Sequence, residues 1–272
     1  MKTPRLKINR LQIGVESDWL TDTSEMVRIQ MFGLPYAPAH GKSTLAFRVG
    51  NLWLGEQAAE LFVPRRLIGM DEYRDWGNRY QQGHRGLLAV VLETENLDMI
   101  YERLCWNGLS EPIMLRKHIG KGSYSQQFLA SSSQLPFFKA LPFQLLFVQG
   151  KKDIDSALRK QIMQPNARQH GIEGIESVRI RAPFAQEEWK LLQCVFPQGT
   201  KERNTFTVPL DEEREWLRFE RMRDPIKVGV DVWLRGRMQG LRGQGALRIH
   251  NVTFHVRGEA LAPDTPGVGP TP

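Results

Sequence analysis

Residues 7–15 read KINRLQIGV, and they are the first of three strand-like stretches that recur along the chain. Two sets of side chains alternate along it, Ile8, Arg10 and Gln12 on one face and Leu11, Ile13 and Val15 on the other. A period of two is typical of a strand with one buried face and one polar face. Apolar residues at helical spacing follow from Asp18, so the pattern predicts a strand and then a helix.

The same order of strand and helix recurs at two later places. The sequences GLLAVVLE at 86–93 and GIESVRIR at 174–181 each precede an amphipathic stretch. Asn96 or Asp98 can cap the second helix, and Pro183 lies where the third begins. Further strands follow each pair, which gives a strand–helix–strand–strand–strand unit of roughly 85 residues, a length that suits a duplicated module. The chain is therefore predicted to be α+β, built from repeated βαβββ modules.

Polar and Pro/Gly-rich stretches suggest where the modules end. The segment QPNARQHG at 164–171 is interpreted as a linker between a domain of two paired modules, residues 1–163, and a third module, residues 171–261. Residues 262–272, APDTPGVGPTP, are expected to be disordered. Because three is an odd number, the third module needs a partner, either the strand region 246–256 or a second protomer in a homodimer.

Composition excludes several classes of protein. Among 272 residues, 41% are hydrophobic and 25% charged, which suits a globular chain, and no apolar run is long enough for a membrane span. The net charge of +7 is scattered among acids, so a nucleic-acid partner is not expected. The two cysteines, Cys105 and Cys194, are too few for a disulfide framework. They are interpreted as small buried hydrophobes on helices of a reduced, cytoplasmic protein.

Several phrases resemble one known family. They are INRLQIGVES at Ile8, AAELFV around Glu60, GLLAVVLETENLD at Gly86, LPFQLLFVQG at Leu141 and HGIEGIESVRI at His170. In this order they are similar to the glyoxalase-like branch of the vicinal-oxygen-chelate superfamily, which includes glyoxalases, bleomycin-resistance proteins and dioxygenases. The resemblance implies paired βαβββ modules whose curved, mostly antiparallel sheets enclose a cup, with the helices outside.

In metal-dependent members of that superfamily, the cup holds a divalent ion on His or Gln from a module's first strand and Glu from its last. The resemblance places Arg10 and Glu60 at these positions in the first copy, Ala89 and about Leu146 in the second, and Ser177 in the third. Only Glu60 offers a suitable donor. We therefore expect no cofactor, and a bidentate ion pair between Arg10 and Glu60 in place of the metal contact.

The polar strand faces suggest the kind of ligand. Gln12 shares the face of Arg10, and Arg179 and Arg181 share the face of Ser177, so a cup lined by these faces would suit an anionic small molecule. The other interpretation is that Arg179 and Arg181 reach solvent. His40, in the loop sequence AHGKST, is a candidate acid–base or ligand group. His250 and His255, assigned to one strand, are interpreted as surface or core residues.

Three functions remain open at this point. The first is a glyoxalase-like binding protein with a degenerate metal site, whose ligand-binding residues are Arg10, Gln12, His40, Glu60, Ser177 and Arg179. The second is a metal-dependent lyase, isomerase or dioxygenase in which Glu60 and His40 hold the ion. The third is a scaffold whose modules pair between chains.

Overall fold

The computed structural model describes residues 4–37, 47–64, 74–106, 113–119, 128–134, 138–139, 141–149, 159–224, 227–236 and 246–256. The strands in these ranges are β1 Leu6–Gly14, β2 Tyr36–Ala37, β3 Phe47–Leu54, β4 Gln57–Pro64, β5 Gly86–Thr94, β6 Ile113–Ile119, β7 Phe128–Gln134, β8 Gln144–Gln149, β9 Ile172–Ala182, β10 Thr200–Glu202, β11 Thr205–Leu210, β12 Glu215–Arg221, β13 Gly229–Gly236, β14 Ala246–Ile249 and β15 Val252–Val256. The α-helices are α1 Thr23–Phe32, α2 Arg74–Gln81, α3 Leu97–Trp106, α4 Gln164–Gln169 and α5 Gln186–Val195.

The first sheet consists of two βαβββ modules side by side. Its strand order is β2-β3-β4-β1-β5-β8-β7-β6. The first and last strands of each module pair in parallel, β1 with β4 and β5 with β8, while β1 and β5 join the modules in antiparallel orientation. This arrangement confirms the α+β class and the repeated βαβββ module predicted from the sequence.

The second sheet repeats the plan and resolves the odd number of modules. Its order is β10-β11-β12-β9-β13-β15-β14, and β9 to β12 with α5 form the third module. Strand β13 pairs in parallel with β15 and in antiparallel orientation with β9, as β5 does with β8 and β1. In the described residues, strands β13 to β15 therefore form a shortened fourth module, and the bounds 171–261 of the third module stay a prediction. The pairing edge of β9 is occupied by this chain itself.

A tight turn divides the strand predicted over residues 246–256. His250 has a φ of 54°, so the chain reverses between β14 and β15. The Asn251 side chain accepts a hydrogen bond from the Leu87 backbone N–H at 2.9 Å, which anchors the turn against β5. His250 therefore lies in a turn and does not share a strand with His255, contrary to the sequence interpretation.

One hydrophobic core joins the helix-bearing faces of both sheets. Leu11 and Ile13 of β1 and Val178 and Ile180 of β9 belong to it, together with the buried residues of α1, α3 and α5. The opposite face of each sheet, here called the cup face, carries the polar positions and, on the first sheet, a separate apolar cluster under α2. The core is continuous between the two sheets. The division into domains at residues 163 and 171 stays a prediction.

Helix boundaries follow local capping. Helix α1 begins at Thr23, later than predicted, because the Asp22 carboxylate accepts the Ser24 backbone N–H at 2.8 Å. Asn96 caps α3 as predicted, accepting the Met99 N–H at 3.0 Å. The stretch interpreted as a linker contains helix α4, in which Pro165 occupies the first turn, where its missing N–H costs nothing. Residues 262–272 lie outside the described residues. No helix in the described ranges has the length and apolar character to cross a membrane.

Both cysteines are free thiols on helices, as predicted, but they differ in exposure. Cys105 in α3 is exposed and Cys194 in α5 is half-buried, so Cys105 is not the buried hydrophobe that the sequence suggested. We expect thiol titration without reductant to count two thiols, with Cys105 reacting faster because reagent reaches it directly. A Cys105→Ser variant should lose the fast phase, and finding no free thiol would contradict the structure.

A buried carboxylate links the two sheets. Glu215, at the start of β12, accepts hydrogen bonds from the Ile8 backbone N–H at 2.7 Å and from Gln57 Nε2 at 2.5 Å. Gln57 Oε1 in turn accepts the Ile175 backbone N–H at 2.5 Å. Burial raises the pKa of Glu215 to about 7, because little water remains to solvate its charge.

Candidate functional site

The row of cup-face residues around Glu60 differs from the one that the sequence suggested. Gln12 pairs in register with Glu60 of β4 and with Ala89 of β5, and Ala89 pairs with Gln144 of β8. Gln12 rather than Arg10 therefore occupies the first-strand position beside Glu60, and Gln144 rather than Leu146 lies in the same row. The register of β1 against β5 shifts between Ile8 and Arg10, which interrupts the strand's regular alternation and leaves Ile8 in the core.

Glu60 is already engaged by two neighbours. Gln12 Nε2 donates to Glu60 Oε2 at 2.7 Å, and Arg10 Nε lies 3.3 Å from the same oxygen. The predicted ion pair between Arg10 and Glu60 is confirmed, but it is not bidentate, because Arg10 Nη1 donates to Asn9 Oδ1 at 2.8 Å. Both partners are partly exposed, at 33% for the Arg10 side chain and 22% for Glu60.

This donor set does not fit a divalent ion. Gln12 Oε1 is buried without a hydrogen-bond partner and is a possible oxygen donor, but the Arg10 guanidinium competes for Glu60. The second module contributes Ala89, which has no donor, and Gln144, whose Oε1 accepts the Trp76 N–H. Across the described ranges, no three His, Cys, Asp or Glu side chains converge as a metal site would require. His40, the other candidate ligand, lies outside the described residues.

Protein side chains cover much of the remaining cup face of the first sheet. Trp76 of α2 is fully buried and packs edge-on against Phe62, with ring centroids 5.5 Å apart. It belongs to an apolar cluster with residues of β4, β5 and β8, namely Phe62, Leu88, Ala89, Val91 and Leu146. Helix α2 therefore occupies space over this sheet that an open cup would leave to a ligand.

The ion pair beside this cluster predicts a moderate stability effect. Arg10→Ala should lower the free energy of unfolding by about 1 kcal/mol, because a partly exposed pair contributes less than a fully buried one. Urea unfolding followed by tryptophan fluorescence measures the change. Arg223→Ala, at an exposed position, is the control and should be neutral. An Arg10→Ala variant as stable as the parent would mean that the guanidinium does not compensate Glu60.

The cup face of the second sheet is polar throughout its centre. Ser177, Arg179 and Arg181 of β9 alternate with the buried Val178 and Ile180, as the sequence predicted. Their register partners share this face. Trp216 and Trp233 flank Ser177, and Arg218 and Asp231 flank Arg179.

Asp231 is the centre of this face. Its side chain is only 6% exposed. Its Oδ2 accepts Arg179 Nη2 at 3.0 Å and lies 2.9 Å from Arg181 Nη2, while Oδ1 lies 2.9 Å from His255 Nε2. Two guanidinium groups thus share one buried carboxylate, and a second acid, Glu220, lies 3.9 Å from Arg179 Nη1.

An aromatic ring fixes two of these groups. The Arg179 guanidinium lies 4.9 Å from the centre of the Trp233 ring, and the His255 ring stacks on Trp233 at 5.1 Å with a 17° tilt. Such contacts hold cationic groups over an aromatic face. Arg179 and Arg181 therefore do not simply extend into solvent, since both are held in a cluster while about a third of each side chain stays accessible.

The structure separates the predicted site residues into two groups. Arg10, Gln12 and Glu60 lie together on the first sheet, whereas Ser177 and Arg179 lie on the second. Sequence reasoning missed Asp231 and Trp233 and assigned His255 to surface or core. The available signal was the acidic residue inside the apolar run VGVDVWL at 228–234.

Comparison with known proteins identifies the fold. No family model matches the sequence, and no curated protein matches it. A hypothetical protein from Staphylococcus aureus has a similar structure, with a TM-score of 0.63 and 13% identity over 93% of this chain and 99% of that one. A variant of homoprotocatechuate 2,3-dioxygenase from B. fuscum is similar with a TM-score of 0.52 and 9% sequence identity, over 97% of this chain and 75% of the dioxygenase. For the Mn(II)-bound glyoxalase from Novosphingobium aromaticivorans the TM-score is 0.47 and the sequence identity 11%, over 85% of this chain and 66% of the glyoxalase.

The likeness to the dioxygenase covers almost the whole of this chain, both sheets included. This chain therefore shares its fold with that dioxygenase.

Proposed function

We propose that this chain is a vicinal-oxygen-chelate protein that binds a small organic anion on the cup face of its second sheet. One observation carries the proposal. Arg179 and Arg181 share one carboxylate, that of the buried Asp231, and keep part of their surface accessible. Guanidinium groups held in this way can donate paired hydrogen bonds to a carboxylate or phosphate.

The surroundings favour an organic anion over an inorganic one. Trp216 and Trp233 lie on the two strands that flank Ser177, and both are partly exposed on the same face. Tryptophan surfaces bury apolar parts of a ligand, while Ser177 offers a hydroxyl between them. Arg218, exposed beside Arg179 in register, adds further positive charge. A carboxylate attached to a planar apolar body matches this combination.

The first sheet supports the fold in this proposal rather than a metal reaction. Gln12 and Arg10 satisfy Glu60, which stands at the last-strand position where the resembled family carries a metal ligand. We also propose a reducing compartment, the cytoplasm, because Cys105 and Cys194 are free thiols.

A metal-dependent lyase, isomerase or dioxygenase is the second candidate. The observation in its favour is the buried Gln12 Oε1, which has no hydrogen-bond partner and lies on the side chain that contacts Glu60. Elemental analysis of the purified protein distinguishes the two candidates. We expect no stoichiometric divalent ion, whereas one ion per chain, lost in a Glu60→Gln variant, would favour the enzyme.

Ligand binding tests the proposal itself. We expect small aromatic carboxylates, screened at constant ionic strength, to raise the unfolding temperature of the parent protein and to quench its tryptophan fluorescence. An Arg181→Gln variant should lose both responses, while the exposed control Lys190→Gln should keep them. Responses that persist in Arg181→Gln would place the ligand elsewhere and contradict the proposal.

A further inference from the structure

A cavity at the junction of the two sheets is a separate site of charged residues. Its volume is about 360 Å³, in the range of small-molecule pockets. The start of β1, the turn between β3 and β4, helix α4, the start of β9, the segment before β12 and the end of β13 form its walls. A ligand in this cavity would contact both halves of the chain.

The walls hold six cationic side chains, and three of them form no ion pair with a described carboxylate, although Arg235 is close enough to Glu215 to act on it electrostatically. Arg5 pairs with Asp211, and Lys7 and Arg159 both contact Glu93. The other three form no ion pair with any described carboxylate, and they are Arg168, Arg214 and Arg235. They are available to an anionic ligand.

Arg235 is held in place without a carboxylate. Its Nη1 donates to the Arg214 backbone carbonyl at 3.2 Å. Its Nη2 lies 3.0 Å from the position that a Cβ on Gly174 would occupy, so the absence of a side chain at Gly174 makes room for the guanidinium. An arginine positioned by backbone keeps its remaining N–H groups free for a ligand.

Protonation of Glu215 makes the cavity more positive than its formal charges suggest. Lys7, Arg235 and Asp211 are the charged groups acting on it, and Glu56 and Glu173 also line the cavity. Its raised pKa means that part of the population is protonated at neutral pH. An anion bound nearby would favour the protonated form further, so anion binding and proton uptake should be coupled.

We propose that this cavity binds a compact dianion, through carboxylate or phosphate-like oxygens, and that Arg235 is its central contact with Arg168 and Arg214 beside it. The site is separate from the cup face of the second sheet. Its occupancy would stabilise the junction between the sheets, because residues from both contribute to its walls.

Isothermal titration calorimetry with oxalate and with sulfate, at constant ionic strength, tests the proposal. Oxalate represents carboxylate ligands and sulfate represents tetrahedral oxyanions, and neither changes its charge between pH 6 and 8. We expect at least one to bind, and Arg235→Gln to weaken binding about tenfold or more, as loss of a charged hydrogen bond does. Arg223→Gln, a matched exposed arginine, should leave the affinity unchanged.

A replacement variant and a pH comparison allow the test to be completed even if Arg235→Gln does not fold. If Arg235→Gln does not fold, Arg168→Gln, at an exposed helical position, replaces it and should also weaken binding. Affinity should be several-fold higher at pH 6 than at pH 8 in the parent, and this difference should shrink in Glu215→Gln. Absence of binding by both anions would overturn the proposal. Binding lost in Arg181→Gln but kept in Arg235→Gln would also overturn it, and would support the cup-face function instead.

Discussion

Asp231→Ala should lower the free energy of unfolding by about 3 kcal/mol, the largest effect expected on the second sheet. The change leaves Arg179 and Arg181 beside each other without the carboxylate that they share, and His255 without its acceptor. Removing one partner of a buried ion pair costs more than the pair contributes, because the remaining charges lose their compensation. The value lies at the lower end of the usual range since water reaches part of both arginines.

Two controls separate the charge effect from packing. Asp231→Asn keeps the size and one acceptor oxygen, so its loss of stability should be smaller than that of Asp231→Ala. Glu220→Gln removes an acid 3.9 Å from Arg179 at an accessible position and should change stability by less than about 1 kcal/mol. Urea unfolding measures all three, and an Asp231→Ala variant that unfolds like the parent would rule out the cluster described above.

The stability of the protein should depend on pH through Glu215. Its pKa is about 7 in the folded protein, against an ordinary value of 4.5. Between these values the folded chain keeps a proton that the unfolded chain has lost, so the stability from this group is complete below pH 4.5 and is lost as pH rises through 7. The loss amounts to about 3 kcal/mol.

A Glu215→Gln variant isolates this contribution. The parent should lose about 2.5 kcal/mol relative to the variant between pH 5 and pH 8.5, measured as the difference in unfolding free energy. Burial lowers the pKa of His84, so this residue makes the folded protein less stable as the pH falls. His84 is present in both proteins, and its contribution cancels in the difference between their unfolding free energies. A difference that stays constant with pH would show that the carboxylate does not titrate in this range.

The sequence predicted the first sheet well because its signals are local. Alternation in KINRLQIGV and the apolar run GLLAVVLE, with polar caps such as Asn96, are enough to place β1, β5 and α3. The resemblance then predicted how the modules pair. The sequence pattern did not predict the short fourth module, because in the described residues it has no helix to complete the repeat. The turn at His250 was not predicted either, because a distant contact with Leu87 fixes it.

The site was harder to predict because it depends on register between strands. Gln12 rather than Arg10 pairs in register with Glu60, and no local pattern reports the register between β1 and β4. Asp231 and His255 lie 24 residues apart in the sequence and meet only because β13 and β15 are neighbours. Arg179, in contrast, was placed on the correct face by alternation alone.

If the arginine cluster on the second sheet binds an organic anion, the affinity should depend on the negative charge of the ligand. Isothermal titration calorimetry would compare the best aromatic carboxylate from the screen with its neutral amide, on the parent protein and on Arg181→Gln. We expect the acid to bind the parent and the amide to bind at least about tenfold more weakly. Arg181→Gln should remove this preference for the acid. Equal affinity for acid and amide, or a preference that survives in Arg181→Gln, would contradict it.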